Sequence, residues 1–239
     1  MTRLTTCPDA ETVAQRAVTH VLRAVERARA ERGVAHVALS GGTTPARTYE
    51  LLNEDSGELT EMEVWFADER CVPPEDDESN YKLAAETLLA RDAIETDKVH
   101  RMEGERGPAQ GAERYASLLR ERLGEGTGAP VLDLVVLGIG PDGHVASLFP
   151  GSSTLDAGDD AICLGVRDSP KPPPERITLS LAVLKAARGC LLIASGAGKA
   201  DAVNAMLGEP SRHVPASLLL RERLTVIVDD AAAPDGPIA

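Results

Sequence analysis

The order of residues predicts an α/β fold with a mostly parallel, Rossmann-like open sheet flanked by helices, and three observations carry that prediction. Short apolar runs alternate with longer stretches of helical period through most of the chain. Three of the runs end in glycine-rich turns: Leu39 into Ser40-Gly41-Gly42, Leu137 into Gly138-Ile139-Gly140, and Ser195 into Gly196-Ala197-Gly198. No internal repeat or interdomain linker interrupts the alternation, so residues 1–239 read as one domain.

Taken in order, residues 9–32 read as a helix, because Val13, Ala14, Ala17, Val18, Val21 and Val25 recur at helical spacing. Asp9 is placed to cap it and Gly33 to stop it. Residues 34–39 form a short strand whose His36 reads as a packed or edge residue with nothing polar around it. Pro45 suits the first turn of a helix over 46–52. The strand 62–67 holds the only Trp, Trp65, and runs into the charged triplet Asp68-Glu69-Arg70 at the sheet's carboxyl edge. Ser79 caps a helix over 81–89; a short strand over 98–102, a loop over 104–107 and a helix over 109–123 follow. A flexible turn over 124–130 leads into the apolar strand 131–137, then a tight turn and a helix start that present Asp142 and His144. After a loop over 151–160 and a strand over 161–166, residues 167–176 are too rich in proline for helix or central strand. That segment carries Arg167, Lys171 and Arg176. Residues 177–179 lead into a helix over 180–187, then come a strand over 190–195 and a helix over 200–207. A short helix from 215 to 220, a strand over 224–228 and a frayed tail from Ala231 complete the chain.

Composition narrows the function classes. Apolar residues make up 43% of the 239, enough for one sizeable core. Aromatics at 3% leave few platforms on which bases could stack, and a net charge of −13 disfavours nucleic acid and anionic membranes. A small anionic substrate stays open, because a site answers to its local charge. Cys7, Cys71, Cys163 and Cys190 lie far apart, which fits reduced thiols better than a disulfide framework or a zinc ribbon. The first residues carry Arg3, Asp9, Glu11 and Arg16 with no apolar run, so no signal peptide is expected. No stretch reaches the ~18 apolar residues of a membrane span. A soluble cytoplasmic protein is expected, with a monomer as the default assembly.

In a parallel sheet the three glycine turns share one edge. That edge would hold amides and hydroxyls from Ser40, Gly41, Gly42, Thr43 and Thr44, the pair Asp142 and His144, and Lys199. A glycine turn leading into a helix N-terminus favours an anion such as phosphate. Lys199 near a helix start opposes the helix dipole, which hints at an anion between them. Anion binding plus one acid–base residue makes a coherent site.

Other motifs fit less well. Gly138-Ile139-Gly140-Pro141-Asp142-Gly143 has the dinucleotide spacing, yet Pro141 removes an amide and Asp142 puts a negative charge where a pyrophosphate would lie. The run before Lys199 is no P-loop, because Ile193 replaces its leading Gly and Ala200 its Ser/Thr. Ser40 is no nucleophile elbow, because Ala38 holds the first Gly position. Asp142 and His144 could begin a metal site, but no third ligand is evident, and no metal is expected.

The stretches Ser40-Gly41-Gly42-Thr43-Thr44-Pro45, Asp68-Glu69-Arg70-Cys71-Val72-Pro73, Ser79-Asn80, Gly138 to Pro150 and Ser169 to Thr178 resemble the 6-phosphogluconolactonase family, in the family's order and over nearly the whole chain. The resemblance implies hydrolysis of 6-phospho-D-glucono-1,5-lactone to 6-phosphogluconate in the oxidative pentose phosphate pathway, with no cofactor. It implies His144 as general base, with Asp142 orienting that imidazole or the substrate. The amides of Gly41 to Thr44, with Arg70 and Lys199, match the phosphate positions. Arg167, Lys171 and Arg176 are then candidates for closing over the substrate, with a purely structural role as the alternative for Arg176. Glucosamine-6-phosphate deaminases and isomerases are similar, but they carry an acid–base Glu where this chain has Phe149, and phenylalanine moves no proton. A deaminase-like enzyme and a non-catalytic sugar-phosphate sensor are the alternatives.

Overall fold

The computed structural model describes residues 2–54, 59, 61–91, 94–124 and 128–234. Six parallel strands form the main sheet: β1 (Arg3–Cys7), β2 (Ala35–Leu39), β3 (Met62–Phe66), β5 (Leu134–Leu137), β8 (Cys190–Ala194) and β9 (Leu224–Asp229). Their order across the sheet is β1-β9-β8-β5-β2-β3. β5 and β8 are buried at every residue, which explains why they read as unbroken apolar runs rather than alternating ones. From β2 the next strand of this sheet is β3 on one side, and from β5 it is β8 on the other. The gap between β2 and β5 is therefore a topological switch point, where open α/β sheets bind ligands at the carboxyl ends of their strands.

Helices α1 (Ala10–Arg32), α2 (Thr43–Glu54), α3 (Asn80–Glu86), α4 (Pro108–Leu123), α5 (Leu181–Ala186) and α6 (Ala200–Leu207) connect and cover the strands. The α1 caps match the residues named for them. Asp9 accepts from the Thr12 amide, and Gly33 closes the helix at φ 83°, a left-handed conformation suited to glycine.

A second sheet accompanies the first. β4 (Asp68–Arg70), β6 (Cys163–Val166) and β7 (Arg176–Leu179) pair antiparallel in the order β4-β7-β6. The charged triplet expected at a strand end is itself the strand β4. Arg176, expected in the proline loop, opens β7.

Several expectations need correction. The helix start after His144 is absent: residues 145–150 form turns around a bridge between Val145 and Leu148. Ala146 there takes φ 49°, the one described non-glycine residue with positive φ. The Ser147 amide donates to Thr178 Oγ1 and its hydroxyl to Asp68, so tertiary partners take the groups a helix would use. The short strand over 98–102 reduces to a 3-10 turn at Thr96–Lys98 and a single bridge, Val64 to Val99. His36 has polar company: its Nδ1 accepts from Trp65 Nε1 at 3.2 Å and lies 3.4 Å from Glu63 Oε2, which also bonds His100 Nε2. The tail does not fray at Ala231: Ala232 is fully buried and its amide donates to Asp229. Residues 235–239, and 125–127 of the expected flexible turn, lie outside the described residues.

Among the described residues no helix is long and apolar enough to cross a membrane. All four cysteines are free, Cys7 and Cys190 buried.

Candidate active site

The turns that leave β2, β5 and β8 lie side by side, because the register aligns Ala38 with Val135 and Leu137 with Leu192. They border an open cleft of about 280 Å³, and the other wall comes from β4 and the proline loop.

The first turn is rigidly held. Tyr49 Oη accepts the Ser40 amide at 3.1 Å and donates to the Ser40 carbonyl at 2.8 Å. Gly42 takes φ 117°, open to glycine and strained for other residues. Gly41 is glycine for space: a Cβ there would lie 2.0 Å from Asn80 Oδ1. Helix α2 starts at Thr43, itself on the cleft wall and three residues before the expected start, so its first amides have no intrahelical acceptor. Thr44 Oγ1 lies 2.8 Å from Ser195 Oγ, which ties the first turn to the third.

The second turn carries Asp142 and His144. Gly140 donates its amide to the His144 carbonyl and accepts the Gly143 amide, so the chain doubles back within five residues. This brings His144 Nδ1 to 2.5 Å from Asp142 Oδ1. An ionised carboxylate only accepts, so Nδ1 carries the proton and Nε2 keeps its lone pair. Burial pulls His144 below the ordinary imidazole range, although Asp142 opposes this, so the ring is neutral at pH 7. For Asp142, burial acts upward, but the hydrogen bond and charge of His144, with Lys171, outweigh it and hold the carboxyl below its usual range.

Four cations line the cleft, each held differently. Lys199 Nζ donates to the Ile139 carbonyl at 2.7 Å, tying the third turn to the second. Burial, then the charge of Lys171, lower its amine below the usual range, with Asp142 opposing. Arg70 donates to the Glu78 carbonyl at 2.6 Å, and its buried Nε finds no hydrogen-bond partner among the described residues. Lys171 Nζ lies 3.6 Å from Asp142 Oδ1. Arg176 is 4% exposed and donates to the carbonyls of Lys171, Pro172 and Pro173.

Of the residues named from sequence, the structure places Ser40 to Thr44, Arg70, His144 and Lys199 on the cleft, and Asp142 directly behind His144. Arg167 is the exception: it is exposed just past β6 and outside the cleft lining, where Lys171 and Arg176 stand instead. Asp68 also lines the cleft, although sequence reasoning named it only within the charged triplet and assigned it no role. Asp68 is 4% exposed and accepts from Ser147 Oγ at 2.7 Å and Asn80 Nδ2 at 3.2 Å. The signal that could have found it is the acidic residue immediately after a buried strand. Among the described residues no three His, Cys, Asp or Glu side chains are grouped to hold a metal ion.

Fold and site together define an open parallel α/β protein with a glycine turn, a helix N-terminus and a neutral imidazole at its switch point. The chain belongs to the family described as glucosamine-6-phosphate isomerases/6-phosphogluconolactonase, which it matches over residues 8–228. It is 35% identical over 236 residues to the 6-phosphogluconolactonase of Mycobacterium bovis, covering 95% of each chain. It is 37% identical over 204 residues to the probable chloroplastic 6-phosphogluconolactonase 3 of Oryza sativa subsp. japonica; this covers 81% of the present chain and 62% of the rice one. The solved 6-phosphogluconolactonase from Trypanosoma cruzi superposes with a TM-score of 0.86 at 29% identity, covering 97% of this chain and 96% of that one.

Proposed function

We propose that the protein hydrolyses 6-phospho-D-glucono-1,5-lactone to 6-phosphogluconate, with His144 as general base. One observation carries this reading: the unprotonated Nε2 of a carboxylate-anchored imidazole shares a cleft with two buried donors that lack partners. Those donors are Ser40 Oγ and Arg70 Nε. Buried polar groups are nearly always satisfied, so orphans on one cleft mark where a polar ligand supplies the missing acceptors.

The phosphate sits at the start of α2, against the amides of Gly41 to Thr44, Arg70 and Lys199. Its binding energy holds the lactone carbonyl near His144, so positioning supplies much of the rate. Nε2 takes a proton from water as the water oxygen bonds to the carbonyl carbon. The tetrahedral intermediate then expels the ring oxygen, which receives the proton from the imidazolium. The lactone opens to an acid that ionises. Asp142 keeps Nδ1 protonated and steadies the imidazolium while it exists.

Phe149 favours this reading over the deaminase alternative. It is 2% exposed and packs on His144 at 4.5 Å between ring centroids, where the related deaminases place a proton-carrying Glu. Retention of the Asp142–His144 pair favours catalysis over sensing, because a sensor needs the cradle but no base.

The test generates the lactone with glucose-6-phosphate dehydrogenase and follows its decay. The protein is expected to speed that decay, and His144→Ala to lower kcat by about 10²–10⁴ with product binding retained. Decay at the spontaneous rate would overturn the proposal, and turnover of glucosamine 6-phosphate would favour the alternative.

A further inference from the structure

We propose that Phe149 is a positioning residue for this site: its ring fixes the plane of the His144 imidazole and ties it to the loop anchored by Arg176. The inference rests on the reading of His144 as the base.

The contacts form a closed circuit. Asp142 fixes one edge of the imidazole, at Nδ1. One hydrogen bond leaves the ring free to swing about that contact. Phe149 removes this freedom by lying against the imidazole, 4.5 Å between centroids with the planes 38° apart. The far side of the circuit is cationic: the Arg176 guanidinium lies 5.6 Å from the Phe149 centroid. Arg176 in turn gathers three successive carbonyls, those of Lys171, Pro172 and Pro173. Ser169 tightens the same loop by donating to the Lys171 carbonyl at 2.8 Å. Lys171 then returns to Asp142. Phe149 is an apolar link between the base and the loop that carries Lys171.

An aromatic face could act on the imidazole in two opposed ways. It attracts a cation, which would favour the imidazolium. It also excludes water, which disfavours it. Arg176 already lies over the Phe149 ring, so the ring's negative face is engaged by a permanent cation. Burial is also the largest influence on His144, and it holds the imidazole neutral. Water exclusion is the stronger effect here. The ring therefore aims Nε2 and helps keep it free of a proton near neutral pH.

The chain has two phenylalanines, Phe66 and Phe149, so growth on 4-fluorophenylalanine yields two fluorine resonances. The Phe149 signal is expected to shift with a midpoint below about 6.5. That titration should vanish in His144→Ala, with the Phe66 signal as internal reference. In Phe149→Leu, which keeps an apolar group but loses the flat ring, kcat is expected to fall about tenfold with KM nearly unchanged. The acid limb of kcat/KM should move to higher pH as water reaches the imidazole. A Phe149 signal that ignores pH overturns the proposal, as does a Phe149→Leu kcat within about twofold of the parent. The fluorine experiment needs no core substitution, so it decides the matter even if Phe149→Leu fails to fold. It also needs no turnover. If His144→Ala stays active while the fluorine signal titrates, the base assignment falls and the positioning contact stands. If His144→Ala is inactive and the signal is flat, the reverse holds.

Discussion

At the scale of single residues, the site depends on close approach. Gly140 is not among the positive-φ glycines, so an alanine there meets no backbone penalty. Its cost is spatial: a Cβ would lie 2.0 Å from His144 Nδ1 and 2.4 Å from Asp142 Oδ1. Both contacts are side-chain ends, so the imidazole would be pushed aside while the strand stayed in place. Gly140→Ala is therefore expected to lower kcat by about 10²-fold or more, because small misplacements of a base cost that much. Circular dichroism should show native secondary structure in the same variant, and near-normal turnover would contradict the geometry. This requirement was legible only in part. The glycine pattern at 138–140 invited a dinucleotide comparison, and Pro141 and Asp142 argued against it. That Gly140 makes room for the base next to it needs coordinates, because spacing does not show which side chain folds back over the turn.

Between residue and molecule lie the elements, and here the main sheet and the second sheet differ in legibility. The central parallel strands are continuous apolar runs ending in glycine, which few other structures produce, and the sequence exposes them. The second sheet hides because its strands are three or four residues long. β4 is Asp-Glu-Arg, a composition that reads as a turn; its polarity serves the site rather than the sheet. Glu69 shows the expense of this placement: burial pushes its carboxyl up, and the amides of Asn80, Tyr81 and Arg70 only partly offset that. Partners such as Asp68 and Ser147 are 79 residues apart, a distance over which no periodicity speaks. The second sheet also explains a structural serine. Ser180 caps α5 by accepting the Val183 amide, donates its hydroxyl to the Ala161 carbonyl at 2.5 Å, and is 1% exposed. Ser180→Ala removes the cap and leaves the half-buried Ala161 carbonyl short of a donor, so unfolding free energy should fall by about 1–2 kcal/mol. Urea denaturation measures it, and an unchanged midpoint would show that the cap contributes nothing.

For the molecule as a whole, the shifted titrating groups set how stability responds to acid. His20, His36 and His144 are all lowered from the ordinary value of 6.5, in each case chiefly by burial. Burial of His36 outweighs the pull of Glu63 and Asp133, with His100 and Arg122 adding to the lowering. A histidine lowered in the folded state binds its proton more readily when unfolded. Its contribution is therefore intact above 6.5 and is lost as pH falls from there through the folded value. Two of the shifted carboxylates near the cleft act lower on the scale. Asp142 is lowered from 3.8, so its contribution is lost only below that value. Glu69 is raised from 4.5, so the folded state takes up its proton first and acid favours folding just above 4.5. Between pH 7 and about 5.5 the histidines govern, and stability should decline over that span. Urea midpoints at half-unit intervals of pH test this. His36→Gln, neutral at every pH, should flatten part of the slope, while His144→Ala should remove a separate part, because His36 sits near the start of β2, His144 lies beyond the end of β5, and the interactions named for the two rings involve different residues. A profile that stays level from pH 7 to 5.5 would mean that these rings lose no hydration on folding, contrary to their burial.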